Sequence, residues 1–286
     1  MLYFIVNPFA KKLGDLREKI AEKLDAENIA FDFLRADTKE KTRAIARELS
    51  ESGSVQIVAI GGDGTLNDVL SGITVPENVE LGLIPMGTGN DFAEAAKIPF
   101  GIAALDLILH SPSKYTDFIE LGDGMRSMNI AGMGIDVDIL RRAYDSGNEK
   151  RNKYYKALLA SVLHYRGQKI EVTANGETFS ETAYIAAICN GQQFGGGIRI
   201  YPEAVLDDGK LDVLLIKPPK RIKLLFELLA LKRGKIANRP IARHIRCEEV
   251  RIVQTEGKLA ELDGELVEAH MLNARVVSGK LRMFRG

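Results

Sequence analysis

The sequence predicts a doubly wound α/β domain followed by a mostly antiparallel β domain. Three observations predict it. The first third alternates apolar strand runs with helical periodicity. Two glycine-rich loops, Gly61–Thr65 and Gly87–Asp91, each follow such a run. After Asp117, strand runs succeed one another directly, with hairpin cues such as Asn175-Gly176.

Leu2–Asn7 reads as the first strand. Gly14–Asp25 reads as a helix, because Leu16, Ile20 and Leu24 recur at four-residue spacing. Ile29–Leu34 alternates apolar and polar residues as a strand does, and Lys39–Ser52 reads as a helix. Val55–Ile60 is almost wholly apolar, as expected of a parallel strand covered on both faces. A helix from about Thr65, a strand at Val79–Pro85 and helical sequence to about His110 complete the first domain. Further on, strands are expected at Lys169–Ala174, Thr178–Cys189 and Leu211–Ile216, and on either side of Asp263-Gly264. Helices are expected at Tyr154–Tyr165 and about Arg221–Lys232. The domains read as residues 1–120 and 121–277, with a last strand at about 278–286 returning to the first.

The chain has 286 residues with 39 acidic and 39 basic side chains, a balance that argues against a dedicated nucleic-acid binder. Two cysteines, Cys189 and Cys247, and four scattered histidines form neither a disulfide framework nor a zinc motif. Met1–Val6 is too short for a signal peptide. No uncharged apolar run approaches the roughly 18 residues of a membrane span. The expectation is a cytoplasmic protein that does not cross a bilayer.

Both glycine loops should emerge at the carboxyl ends of neighbouring strands, where open α/β sheets bind ligands. Their glycines let several N–H groups converge on one anion. Neither loop is a G-x-G-x-x-G or a Gly-Lys-Ser/Thr motif. Each carries an aspartate instead, Asp63 or Asp91. A carboxylate repels phosphate unless a cation lies between, and Mg²⁺ suits both partners. One such loop reads equally as a tight turn with an Asx-type cap. Two after neighbouring strands argue for a metal–nucleotide complex.

Gly61-Gly62-Asp63-Gly64-Thr65 with Asn67, and Pro85-x-Gly87-Thr88-Gly89-Asn90-Asp91-Phe92-Ala93, resemble the diacylglycerol-kinase-type lipid kinases, most closely their soluble bacterial members. The resemblance continues through Asn190-Gly191, Phe194–Gly197, Pro202-x-Ala204, Asp207–Asp212 and Asp263-Gly264-Glu265. It implies a nucleotide-binding α/β domain beside a β-sandwich. It implies an ATP- and Mg²⁺-dependent kinase acting on a hydroxyl of diacylglycerol or a related lipid alcohol. Asn7, Pro8, Lys12, Thr38, Gly62, Asp63, Gly64, Thr65, Leu66, Asn67, Asp68 and Thr88 would line the ATP site. Asp63, Asp91 and Asp117 would organise the catalytic Mg²⁺, and Glu265 would take the proton from the lipid hydroxyl. A structural Mg²⁺ would use the Asp208 carboxylate and the carbonyls of Val205 and Lys210.

The chain departs from the family in two places. Ala10-Lys11 stands where Ser-Gly is frequent, with Lys12 as a compensating cation, and Glu94 stands where a basic residue is common. NAD kinase shares Gly-Gly-Asp-Gly-Thr but lacks the second loop, and its Asn-Glu pair is matched here only by Asn148-Glu149 in a charged segment. A non-catalytic nucleotide- or lipid-binding regulator is the third reading, which the joint presence of Asp63, Asp91 and Glu265 opposes. The segment 217–235 places Ile222, Leu225, Phe226 and Leu229 on one helical face among seven lysines and arginines. That pattern suits either a packed helix with solvated ends or an interfacial helix on anionic lipid. The expected partner is a lipid substrate at the inner membrane surface, met transiently. The resemblance also allows a homodimer, which no residue demands.

Overall fold

The computed structural model describes residues 1–6, 13–145, 160–162, 164–255 and 257–286. The expectations at Asn7, Pro8, Lys11, Lys12 and Asn148-Glu149, and most of the helix expected at Tyr154–Tyr165, lie outside the described residues.

The first part runs β1 (Leu2–Val6), α1 (Leu13–Ala26), β2 (Phe31–Arg35), α2 (Lys39–Glu51), β3 (Val55–Gly61), α3 (Asp63–Gly72), β4 (Val79–Pro85), α4 (Asp91–Ala95) and α5 (Ile102–His110). Its strands pair in parallel in the order β2-β1-β3-β4. The strand order therefore reverses between β1 and β3, the topological switch point of a doubly wound sheet. Helices cover both faces, so β3 and β4 are buried almost throughout, and the core includes Phe4, Ile5, Ile57, Ile60, Leu66 and Leu81.

The second part runs β5 (Lys114–Leu121), β6 (Arg126–Ser127), β7 (Ile130–Gly134), α6 (Ile135–Asp145), β8 (Gln168–Ala174), β9 (Glu177–Ala183), β10 (Ile185–Cys189), β11 (Leu211–Ile216), α7 (Leu224–Lys232), β12 (Ala242–Cys247), β13 (Glu249–Gln254), β14 (Leu259–Leu262), β15 (Glu265–Glu268) and β16 (Met271–Met283). One antiparallel sheet has the order β12-β11-β10-β7-β14-β15. The facing layer is β9-β8-β13-β16 with β5. Ile119, Val172, Ile188, Val213, Ile252 and Leu272 fill the space between them, which makes a sandwich.

β16 joins the two parts into one sheet. Its first half is antiparallel to β13 and β5, and its end runs parallel to β4 through Glu80–Arg282 and Leu81–Met283. The ladder shifts between Val277 and Leu281. The chain's last strand, which starts at Met271 rather than near residue 278, thus pairs with the parallel strands through its end.

Two elements differ from expectation. Thr178–Cys189 is not one strand: β9 pairs with β8 in one layer, and β10 pairs with β7 and β11 in the other. The chain changes layers at Tyr184, whose backbone bonds Ile216 and Ile135. α6 is unanticipated, because its β-branched opening, Ile135, Val137 and Ile139, carries strand propensity. Among the described residues no helix is long and apolar enough to cross a membrane. Cys189 and Cys247 are both buried and unbonded.

Candidate active site at the two glycine loops

β3 and β4 are paired up to Gly61–Pro85, so both glycine loops leave the same edge of the sheet. They touch backbone to backbone. A Cβ on Gly62 would lie 2.9 Å from the Gly87 Cα, and one on Gly87 would lie 2.6 Å from the Gly62 Cα. Only glycine at both positions permits this approach. Asn90, at φ 55°, ties the second loop to itself, bonding both the N–H and the carbonyl of Gly87.

Asp63 opens α3 and reaches across to α4. Its carboxylate accepts the N–H groups of Asp91 and Phe92, each at 3.1 Å. Asp91 in turn accepts from Gly196 and Gly197 N–H, each at 2.8 Å, and from Gln193 Nε2 at 3.1 Å. The two carboxylates flank Gly89: its Cβ position lies 3.3 Å from Asp63 Oδ2 and 3.5 Å from Asp91 Oδ2. Burial pushes both acids above the ordinary Asp value, and the Asp63 charge adds to the rise at Asp91. Two mutually repelling carboxylates, Asp91 buried and Asp63 half-buried, favour a cation beside them.

Asp263 and Gly264, at φ 47° and 87°, make the hairpin turn between β14 and β15. The Asp263 carboxylate takes Ser127 Oγ at 2.7 Å, the N–H groups of Met128, Asn129 and Ile130, and Asn67 Nδ2 at 2.8 Å. Those bonds fix the hairpin tip over α3. Glu265 consequently sits above the first turn of α3, its Oε1 3.1 Å from the Gly64 Cβ position. There it is ion-paired with Lys39.

A cavity of about 370 Å³ opens beneath Glu265, walled by Thr38, Lys39, Gly62, Gly64, Thr65 and Asp68. Thr38 caps α2 through Lys41 N–H. Burial raises the Asp68 pKa, and Arg43, bonded to Oδ1 at 2.9 and 3.1 Å, pulls it back. Thr88 is exposed on the second loop.

Three expected site residues are placed differently. The Leu66 side chain is in the core, because it falls on the inner face of α3. Asn67 spends its amide on Arg126 O and Asp263 rather than facing the cavity. Asp117 joins the Asp207–Gly209 turn instead of the Asp63–Asp91 pair. Its Oδ2 accepts Gly209 N–H at 2.7 Å, its Oδ1 is buried without a partner among the described residues, and burial, Asp208 and Asp207 raise its pKa. On the same turn Asp208 accepts Lys210 N–H at 3.0 Å and pairs with Arg246. The Glu94 departure is answered by Arg199 at 2.9 Å and Gln193 at 3.0 Å.

The sequence reading missed Lys39, Asp263 as the organiser of the hairpin, and a buried acid pair, Asp136 and Glu261. The signal for Asp263 was its αL-tolerant Asp-Gly pair; Lys39 and the acid pair depend on contacts far apart in the chain. Asp136 and Glu261 both lean on Gly132, and each leaves one oxygen unpartnered among the described residues. Burial pushes Asp136 up to about 6 and Glu261 well above its usual range. The folded protein therefore keeps protons that the unfolded chain releases near pH 4. The contribution of Asp136 to stability is therefore full below about pH 4 and is lost as pH rises through about 6. Asp136→Asn should flatten this fall, so that the variant melts above wild type at neutral pH. Parallel melting curves against pH would refute the assignment.

Comparison with known proteins agrees with this geometry. Residues 1–121 match the family described as diacylglycerol kinase catalytic domain, and residues 129–285 match the YegS C-terminal NAD kinase beta sandwich-like domain. A "Probable lipid kinase YegS-like" of Xanthomonas oryzae pv. oryzae (strain MAFF 311018) is 31% identical, over 98% of this chain and 94% of the relative. A protein of the same description from Pseudomonas fluorescens (strain Pf0-1) is 28% identical, over 84% of this chain and 78% of its own. The crystal structure of a diacylglycerol kinase from Bacillus anthracis str. Sterne shares the fold, with a TM-score of 0.81 at 24% identity, covering 100% of this chain and 96% of that one. An NAD kinase from Archaeoglobus fulgidus in complex with ATP shares it more distantly, with a TM-score of 0.55 at 11% identity, covering 100% of this chain and 94% of that one. Paired glycine loops at one sheet edge, an acid on the opposing hairpin and these matches across both halves lead to one assignment: the chain belongs to the diacylglycerol-kinase-type lipid kinase family.

Proposed function

We propose that the protein transfers the γ-phosphate of ATP, in an Mg²⁺-dependent reaction, to the hydroxyl of diacylglycerol or a related lipid alcohol. The observation that carries this reading is the position of Glu265 over the first turn of α3, beside the touching glycine loops. Phosphoryl transfer needs positioning and charge neutralisation more than covalent chemistry. The α2 and α3 residues around the cavity bind the nucleotide, with Thr38, Gly62, Gly64, Thr65 and Asp68 at its wall. Glu265 accepts the proton of the attacking hydroxyl.

Asp63 and Asp91 fit a resident Mg²⁺, since their carboxylates face one another without a counter-charge other than N–H and amide donors. No cluster of three or more His, Cys, Asp or Glu side chains poised for a metal occurs among the described residues. A site of one or two carboxylates completed by phosphate oxygens and water is the habit of Mg²⁺. When bound, the ion supplies neutralisation of the charge that develops on the transferred phosphate.

A second cation fits the Asp207–Gly209 turn, where the Asp117 oxygen that lacks a partner among the described residues lies. Asp208 and the carbonyls of Val205 and Lys210 would hold it, with Asp208 exchanging its Arg246 partner. Asp208→Ala is then expected to lose most of the thermal shift that Mg²⁺ gives the wild type without nucleotide. Equal shifts in the two proteins would remove this second site.

The test of the main reading is transfer of label from γ-labelled ATP, with Mg²⁺, in mixed micelles across a panel of lipid alcohols with NAD included. Label in a lipid supports it. Label in NADP, or in nothing while ATP binds, overturns it.

A further inference from the structure

The α7 helix and the turn before it present an amphipathic surface that neither the fold nor the catalytic cleft uses. Arg221–Lys223 form a 3-10 turn that runs directly into α7. Leu224, Leu228, Ala230 and Leu231 pack inward on the cluster around Ile200, Leu214 and Ile216. Glu227 also points inward, and both its oxygens take the Arg239 guanidinium at 2.9 Å. The helix is therefore anchored, and its outer face is a feature of the folded protein.

That outer face is apolar. Ile222 is 84% exposed, Leu225 65%, Phe226 64% and Leu229 39%. Their spacing of three and four residues puts them on one stripe. Among the described residues eight large apolar side chains are exposed, and these four share this turn and helix. Single exposed leucines need no explanation, but a contiguous stripe does.

The charge around the stripe identifies what it meets. The whole chain is neutral, yet residues 217–235 hold seven lysines and arginines and one acid, Glu227, which is already paired. Lys220, Arg221 and Lys223 stand at one end, Lys232, Arg233 and Lys235 at the other, all exposed. None of these six has an acidic partner among the described residues. A second copy of this chain would bring two such cationic clusters together across a two-fold axis, which repels. An anionic lipid surface satisfies both features, because apolar side chains enter the acyl boundary while cations meet the headgroups.

We propose that the Arg221–Lys232 segment is a peripheral docking surface for an anionic bilayer. Leu228 and Leu231 on the inner side of α7 line a narrow cavity of about 70 Å³ whose wall includes Gly264, the residue before Glu265. That volume is well below the roughly 300 Å³ at which small-molecule pockets begin. The inner side of the docking helix thus shares a cavity wall with the hairpin that carries Glu265. The docking surface does not depend on which hydroxyl is phosphorylated.

The chain contains no tryptophan, so Phe226→Trp introduces a single reporter. It is titrated, without nucleotide, with phosphatidylcholine vesicles that contain or lack phosphatidylglycerol. The expected result is blue-shifted emission, quenched by brominated acyl chains, on the anionic vesicles alone. Changing Lys220, Arg221, Lys232 and Arg233 together to glutamine should weaken vesicle co-sedimentation by at least about 10-fold. Leu225→Ser with Phe226→Ser should do the same, and neither set should alter the melting temperature, because all six side chains are exposed. Unshifted emission on anionic vesicles overturns the proposal, as does co-sedimentation unchanged in both sets. A dimer in sedimentation velocity that the serine changes abolish, without vesicle binding, overturns it in favour of self-association. Because no phosphate transfer is measured, failure of the kinase reading leaves these outcomes intact.

Discussion

Asp63→Asn is expected to lower phosphate transfer to a lipid alcohol on the order of 10³-fold. The substitution keeps the size of the side chain and one acceptor oxygen, so part of the bonding to Asp91 and Phe92 N–H survives. What it removes is a negative charge next to Asp91. Burial already disfavours that charge, and so does the charge of Asp263. The melting temperature should therefore change little. In the proposed reaction the same charge holds Mg²⁺, so the variant should also need a higher Mg²⁺ concentration for half-maximal rate. Turnover near wild type with an unchanged Mg²⁺ requirement would reduce Asp63 to a helix cap for α4.

The first domain was legible because its strands are buried on both faces. Val55–Ile60 and Val79–Pro85 are nearly continuous apolar runs, and turn residues mark their ends. The glycine loops were legible for a related reason: two backbones that nearly touch leave no room for a Cβ. The second domain was harder. A run such as Thr178–Cys189 carries the same alternation whether it stays in one layer or crosses to the other at Tyr184. Only the partners, β8 on one side and β11 on the other, decide that. α6 was hidden by β-branched residues whose burial against β7 and β14 outweighs their strand propensity.

The candidate site divides along the same line. Gly62, Asp63 and Asp91 follow from the glycine-rich spacing of their loops, although the partners of Asp91, Gly196 and Gly197, lie more than 100 positions away. Lys39 meets Glu265 across 226 positions, and Asp263 meets Asn67 across 196. No local pattern encodes such contacts. They determine where the hairpin acid stands, which is the property the chemistry depends on.

Glu265→Gln is expected to lower turnover by about 10²- to 10⁴-fold, the range for removal of a general base. Its effect on stability should be small. Among the described residues the only ion pair lost is with Lys39, and both side chains are more than a third exposed, at 38% and 51%. Pairs of that kind contribute about 0–1 kcal/mol. The hairpin tip should keep its place, since Asp263 and not Glu265 anchors it. Lys39→Gln supplies the control, removing the same ion pair while leaving the carboxylate over α3. If proton removal is the function of Glu265, its own variant collapses while the Lys39 variant keeps most of its turnover number. If the two variants lose activity equally, the ion pair positions the cleft and the proton goes elsewhere. The measurement is turnover at saturating ATP and lipid, with melting temperatures recorded beside it. A Glu265→Gln protein that folds as wild type and turns over at a comparable rate would withdraw the general-base assignment.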